Sequence, residues 1–285
     1  MFLQQVLVDQ YAPLTGVSER TVRLYEYTIK SWARLLGRQP TVDDLSELPV
    51  AQFLAARVRS KSPATAAKDR AQIRAMWDFC ARRNLCATWP SLPRIVVPER
   101  VPEAWLTNEM NKILASASSE PGAICGFPAG NVWRAMILLA YDTGERITPI
   151  TTLLCGDVRD NCVIFRAESR KGRRRDVMRE IGGECSRALQ AVRRGASDTA
   201  IPWDRPRTCL WRLFGRILRR AGLPADRRSK FHRIRKTTAS FYEAAGGSAQ
   251  RLLDHSSPAV TKRYLDPRIV RTASAPSLIP PLGAG

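Results

Sequence analysis

Residues 231–264 read FHRIRKTTASFYEAAGGSAQRLLDHSSPAVTKRY. Phe231, Ile234, Thr238, Phe241 and Ala245 recur at steps of three and four, so the stretch opens as an amphipathic helix with one buried stripe. His232 and Arg235 are then neighbours on a flank near the helix start, where unpaired backbone N–H groups favour a phosphate. Further on, Ser257 and Pro258 suit a cap and a first helical position, which predicts a short helix carrying Tyr264 beside Lys262 and Arg263. Each residue alone has a plain structural reading: most tyrosines pack with a hydrogen-bonded hydroxyl, and Arg233 and Lys236 make a solvated basic face credible. The histidines tip the balance. The chain has two in 285 residues, His232 and His255, and Tyr264 follows the second by nine.

Two further pieces lie upstream. The apolar run MILLAYDTG, residues 136–144, ends just before Glu145-Arg146. A guanidinium there can hold a phosphate through two parallel hydrogen bonds, although an isolated arginine past a helix would more often complement the macrodipole. SRKGRRR, residues 169–175, forms a basic turn between expected strands Cys162–Arg166 and Arg174–Met178. Lys171 is its one ammonium, able to give up a proton when crowded by cations, as arginine cannot. Arg170, Arg173, Arg174 and Arg175 suit contacts to a phosphate backbone. From Arg205 to Lys236 the chain carries twelve basic residues and one acid, Asp226. There Arg212, Arg216, Arg219 and Arg220 share one side of an expected helix; Arg212 and Arg216, with Arg233 and Lys236, are candidates for contacts that position DNA without reading it.

The charge balance is consistent with that partner. Forty-six basic against 26 acidic side chains give +20, and residues 91–285 carry +15 of it. Arginine-rich clustering suits nucleic acid better than a membrane surface. At 44% hydrophobic and 25% charged, the chain is too apolar for wholesale disorder. The apolar stretches fall short of the ~20 residues of a membrane span, and the start MFLQQVLVDQ lacks the basic and long apolar regions of a secretory signal. Seven scattered cysteines without a CxxC pair read as reduced thiols, so a cytoplasmic location is expected. No Walker loop, dinucleotide fingerprint or zinc-ligand spacing occurs, so neither cofactor nor metal is expected.

Helices are expected near residues 2–11, after a Ser18 cap through Val22, Tyr25, Ile29, Trp32 and Leu36, near 50–58, and from Pro63 to about Arg83. Pro90, Pro93, Pro98 and Pro102 punctuate the following stretch. The organisation read from this is an all-helical domain over 1–90, an extended linker over 91–104, a mainly α domain with a small β-sheet over 105–271, and a flexible tail over 272–285. In that second domain, helices are expected at 107–117 and 130–143 and again after Gly183.

In their order, TGER, SRKGRRR, FHRIR and LLDHSSPAVTKRY resemble the motifs of the tyrosine recombinase (phage integrase) family, across the whole second domain. The resemblance implies a catalytic set of Arg146, Lys171, His232, Arg235, His255 and the nucleophile Tyr264, and a first domain that binds DNA. It implies cutting and rejoining of double-stranded DNA at specific sites through a 3′-phosphotyrosyl link, as in integration, excision or resolution; with one Tyr264 per chain cutting one strand, exchange of two duplexes takes four cuts, so four copies of the chain on two DNA sites are expected. Two positions depart from the pattern. Pro149 stands where the family commonly has an acid three residues after the first arginine, with Glu145 and Asp142 as nearby acids, and Asp254 replaces the glycine usual before the second histidine. A type IB topoisomerase would use the same chemistry, and a catalytically weak DNA-binding protein of this fold is the alternative from another class.

Overall fold

The computed structural model describes residues 1–170, 172 and 175–270. Lys171, Arg173, Arg174 and the expected tail over 272–285 lie outside the described residues. The chain forms two compact units, Met1–Arg100 and Val101–Gly285.

The first unit is helical apart from one isolated bridge, Phe2 to Thr41. It opens with α1 (Leu3–Gln5), a π-wound stretch Val6–Tyr11 and α2 (Ala12–Thr15), continuous in the chain. α3 (Glu19–Leu36) begins where Ser18 Oγ accepts from the Thr21 N–H, as its sequence suggests, and stops at Gly37 in the left-handed region. α4 (Glu47–Ser60) starts three residues earlier than the periodicity indicated. α5 (Pro63–Arg82) has the Ser62 cap and Pro63 at its first position. Trp32, Phe53 and Trp77, each 1% exposed or less, centre the core. Within it Asp69 is fully buried, and Arg57 Nε at 2.6 Å and the Thr28 hydroxyl at 2.9 Å satisfy its carboxylate. Residues 88–106 form neither helix nor strand up to α6. Leu92 and Ile95 pack on the first core, whereas Ala104 and Trp105 are buried in the second unit.

The second unit runs α6 (Thr107–Ser118), a hairpin of β1 (Ala123–Ile124) and β2 (Phe127–Pro128), α7 (Ala129–Thr143), α8 (Ile147–Thr152), β3 (Cys162–Phe165) and β4 (Val177–Glu180). It continues through α9 (Gly183–Gln190), α10 (Arg207–Arg220), α11 (Phe231–Ala244), α12 (Ala249–Leu253) and α13 (Pro258–Lys262). α7 is apolar on nearly every side because α6, α9 and α11 all pack on it. Its Trp133, fully buried, meets Trp203, Phe214 and Phe231. Truncating so buried a ring costs about 3–5 kcal/mol, so this cluster anchors the N-terminal part of α7 to α10 and to the start of α11. β3 and β4 pair antiparallel from Cys162↔Glu180 to Phe165↔Val177. The second strand begins at Val177, later than Arg174, because Asp176 turns back to accept from Arg166 at 2.8 Å and from the Ala167 N–H at 2.9 Å.

Candidate active site

α7 stops at Gly144, whose φ of 61° lies in the left-handed region. A Cβ there would sit 3.3 Å from Thr238 Cγ2, so glycine answers both the backbone and its packing against α11. The stop leaves helix-terminal carbonyls without intrahelical partners. Arg235, 1% exposed, answers them: Nη1 donates to Gly144 O at 2.6 Å and Nη2 to Leu253 O at 2.8 Å, at the end of α12. Its Nε is buried with no hydrogen-bond partner among the described residues. The expectation that Arg235 lies off the buried stripe, on a flank with His232, is thereby corrected. Arg235 enters the core because it ties two helix ends together, while His232 stays exposed. Burial, then repulsion from Arg146, lowers the Arg235 pKa to about 10.

Tyr264 lies two residues past the last residue of α13, in a turn, which corrects its expected place on the helix. The helix closes early, and the Tyr264 N–H bonds Thr261 O at 2.8 Å. The ring packs on Ala239, Ala249 and Leu253. From α11, Ser240 Oγ donates to Tyr264 O at 3.2 Å and accepts from the Asp266 N–H at 2.9 Å, fixing the backbone on both sides of Leu265. The Tyr264 ring centroid stands 5.0 Å from that of His232 and 4.6 Å from that of His255, and the Arg235 guanidinium carbon lies 5.7 Å from it.

His255 follows Asp254, which closes α12 at a φ of 57°. Asparagine and aspartate are among the few residues that adopt this conformation readily, which is how an acid stands in a glycine position. His255 Nδ1 is 3.1 Å from Thr261 Oγ1 and Nε2 is 3.5 Å from Arg235 Nη2. Arginine has no acceptor, so Nε2 accepts and Nδ1–H donates to Thr261. Desolvation, with Arg235 and Arg146 nearby, pushes the His255 pKa down to about 4. For His232, desolvation first and then Lys236, Arg235 and Arg146 push it down to about 4. Both imidazoles are neutral at pH 7 and can accept a proton.

Arg146 begins α8 with its backbone extended, φ −72° and ψ 153°, and its backbone N–H donates to Glu145 Oε2 at 3.1 Å. Among the described residues no hydrogen bond or ion pair holds its guanidinium. The structure therefore brings Arg146, His232, Arg235, His255 and Tyr264 into one cluster, while Lys171 lies outside the described residues.

The remaining basic candidates divide. On α10, Arg212, Arg216, Arg219 and Arg220 are exposed, opposite buried Leu210, Leu213, Phe214, Ile217 and Leu218. Arg216 and Arg220 pair with the buried Glu120, however, so Arg216 is not the unencumbered phosphate contact expected of it. Arg233 departs further: it is 7% exposed, stacks 3.8 Å from the Trp105 ring centre and donates to Ala104 O at 3.1 Å. Arg170 is likewise buried, at 8% exposed, against Glu145. Both are structural cations here, because each finds an acceptor within its own unit. Arg175 is exposed and reaches Asp254 at 2.8 Å. Lys236 is half-buried, and desolvation lowers its pKa. The sequence reading passed over Thr261, which orients His255; its signal was a hydroxyl six residues after the histidine.

Residues 105–269 match the phage integrase family, and residues 9–84 the N-terminal SAM-like domain of phage integrases. The chain belongs to the phage integrase family. A tyrosine recombinase XerD from Ralstonia nicotianae is 24% identical over 269 residues, spanning 87% of this chain and 84% of that one. Among solved structures, a lambda integrase dimer bound to a COC′ core site superposes with a TM-score of 0.69 at 20% identity, over 96% of this chain and 79% of that one. The Tn1549 transposon integrase in complex with a circular intermediate DNA gives 0.72 at 15% identity, over 98% and 97%. These likenesses are of fold: a helical first domain and a mainly α second domain with small two-stranded sheets. As a phage integrase family member the chain is an enzyme, a site-specific DNA recombinase of the tyrosine type.

Proposed function

We propose that Tyr264 is the nucleophile of this recombinase and that Arg146, His232, Arg235 and His255 surround the phosphate it attacks. The observation that carries this reading is the buried Arg235, whose Nε lacks a partner among the described residues and which lies beside a tyrosine ring flanked by two neutral imidazoles. A buried cation with spare donor capacity is suited to an anion that arrives from outside, and Arg146 adds a second guanidinium. Tyr264 Oη attacks phosphorus and its proton passes to the neutral His232. The phosphorus–5′ oxygen bond breaks, and the DNA is held as a 3′-phosphotyrosyl ester. Reversal by another 5′ hydroxyl rejoins the strand without ATP, because the ester retains the bond energy. The reading is tested by incubating the protein with nicked duplex carrying its site, where loss of the short 5′ fragment traps the ester. A covalent adduct that survives denaturant is expected; its absence overturns the reading.

Lys171 is assigned the proton for the departing 5′ oxygen, from its place in the basic turn. Lys171→Ala should slow cleavage by about 10²-fold or more, as for loss of a general acid. A 5′-bridging sulfur leaves without that proton, so this substrate should restore the variant to near the wild-type rate. If the variant stays equally slow on both substrates, the acid is another group, with His232 next in position.

One Tyr264 cuts one strand, and exchanging two duplexes takes four cuts, so the working assembly is four chains on two DNA sites. A lambda integrase tetramer bound to a Holliday junction shares this fold, with a TM-score of 0.68 at 20% identity over 90% of this chain and 78% of that one. Chains at +20 repel one another, and DNA phosphates remove that repulsion. Solution mass should therefore rise to a tetramer only when two-site DNA is added at moderate salt. A stable tetramer without DNA, or recombination by two protomers, would refute it. No helix among the described residues is long and apolar enough to cross a membrane. The seven cysteines are all free thiols, which suits the reducing cytoplasm where the DNA substrate is found.

A further inference from the structure

The buried carboxylate of Glu145 is the most connected acid near the cluster. It is 3% exposed, and Oε1 accepts from Arg170 Nη2 at 2.7 Å and from Nε at 3.1 Å. Oε2 accepts from the Arg146 N–H at 3.1 Å and lies 3.9 Å from Arg235 Nη1. Arg170 continues outward: its Nη1 reaches Asp254 Oδ2 at 3.0 Å, and Asp254 Oδ1 accepts from Arg175 at 2.8 Å. The chain of contacts thus meets the backbone of Arg146, the guanidinium of Arg235 and the residue preceding His255. Asp142, the other nearby acid, instead accepts from the Gly182 N–H at 2.7 Å and makes no such link among the described residues.

We infer that Glu145, acting through Arg170 and Asp254, is the positioning acid of this active site, in the role left vacant by Pro149. The inference rests on the cluster's assignment as the phosphate-cleaving site. Glu145 touches no substrate. It sets where Arg146 leaves the end of α7, and it partly neutralises Arg235 and Arg170, whose burial side by side would otherwise be opposed by desolvation. Asp254 serves the same network from the other side because an acid, unlike glycine, offers Arg170 an acceptor. Glu145 and Asp254 therefore belong together: the acid before the first arginine has its partner in the acid before the second histidine, with Arg170 between them.

The test is single-turnover cleavage of nicked site DNA at saturating concentration, with affinity and thermal melting measured alongside. Glu145→Gln keeps the shape and removes the charge. It should slow cleavage about 10- to 100-fold, the scale of a small misplacement of reacting groups, while affinity stays within about 3-fold. Asp254→Gly, which suits the left-handed backbone and so folds, should slow cleavage about 3- to 10-fold. The double variant should be no slower than about 2-fold below Glu145→Gln, since both act through Arg170. Cleavage by Glu145→Gln within 2-fold of wild type, or rate and affinity falling together, would overturn the inference. If Glu145→Gln does not fold, Asp254→Gly decides: an unchanged rate overturns the inference and a slowed rate at unchanged affinity supports it. Should the wild-type protein itself form no adduct through Tyr264, the cleavage reading fails instead, which keeps the two failures distinct.

Discussion

Tyr264→Phe yields a protein that folds, binds its DNA site with wild-type affinity and forms no covalent adduct on nicked duplex. The substitution removes one oxygen and leaves the ring. The packing on Ala239, Ala249 and Leu253, the edge contacts with His232 and His255 and the backbone bonds through Ser240 all survive, since none uses the hydroxyl. Cleavage without a nucleophile falls to the background rate, a larger change than loss of any supporting group, because the covalent route itself is closed. Denaturing electrophoresis of protein with labelled DNA reads the adduct directly, and a filter or mobility assay reads affinity. Denaturant-resistant complex at wild-type levels in this variant would exclude Tyr264 as the nucleophile.

What the sequence disclosed follows from how locally each feature is determined. Ser18 and Ser62 stand directly before amphipathic periods, so α3 and α5 could be read nearly to the residue, as could α7 from its apolar run and the glycine that ends it. The ordered motifs pointed to Arg146, Lys171, His232, Arg235, His255 and Tyr264 through their resemblance to the family, and the structure brings all of these but Lys171, which lies outside the described residues, close together. Periodicity could not show that Arg235 turns inward, since its acceptors, Gly144 O and Leu253 O, come from 91 residues before it and 18 after. The same long-range pairing hid the structural use of Arg233, whose partners are Trp105 and Ala104, and of Arg216, held by Glu120. Ser257-Pro258 signalled where α13 starts but carried no stop signal, which is why Tyr264 was expected on a helix that ends before it. A basic residue is legible as a cation from sequence. Whether its counter-charge is a phosphate or a protein carboxylate is a tertiary fact.

Arg146→Ala and Arg235→Ala should both lower the cleavage rate by about 10²–10³-fold or more, as expected when a preorganised donor is removed from a charged transition state. Their effects on the protein should differ. Arg146 has no side-chain hydrogen bond among the described residues, so its removal leaves melting near wild type and costs DNA affinity only one phosphate contact. Arg235 holds the carbonyls of Gly144 and Leu253, and truncation strands both in a buried setting at about 1–3 kcal/mol each. Arg235→Ala should therefore melt at a lower temperature as well as cut slowly. Arg235→Lys separates the two roles: a lysine ammonium can neutralise charge but cannot span both carbonyls and present a further N–H to phosphate. It should recover part of the affinity and little of the rate. The decisive quantity is the ratio of rate loss to affinity loss at saturating DNA. A rate that falls far more than affinity places both guanidiniums at the transition state. Equal losses in the two would make them ordinary anchors on the DNA backbone, and the phosphate would then have to be activated by the histidines and Lys171 alone.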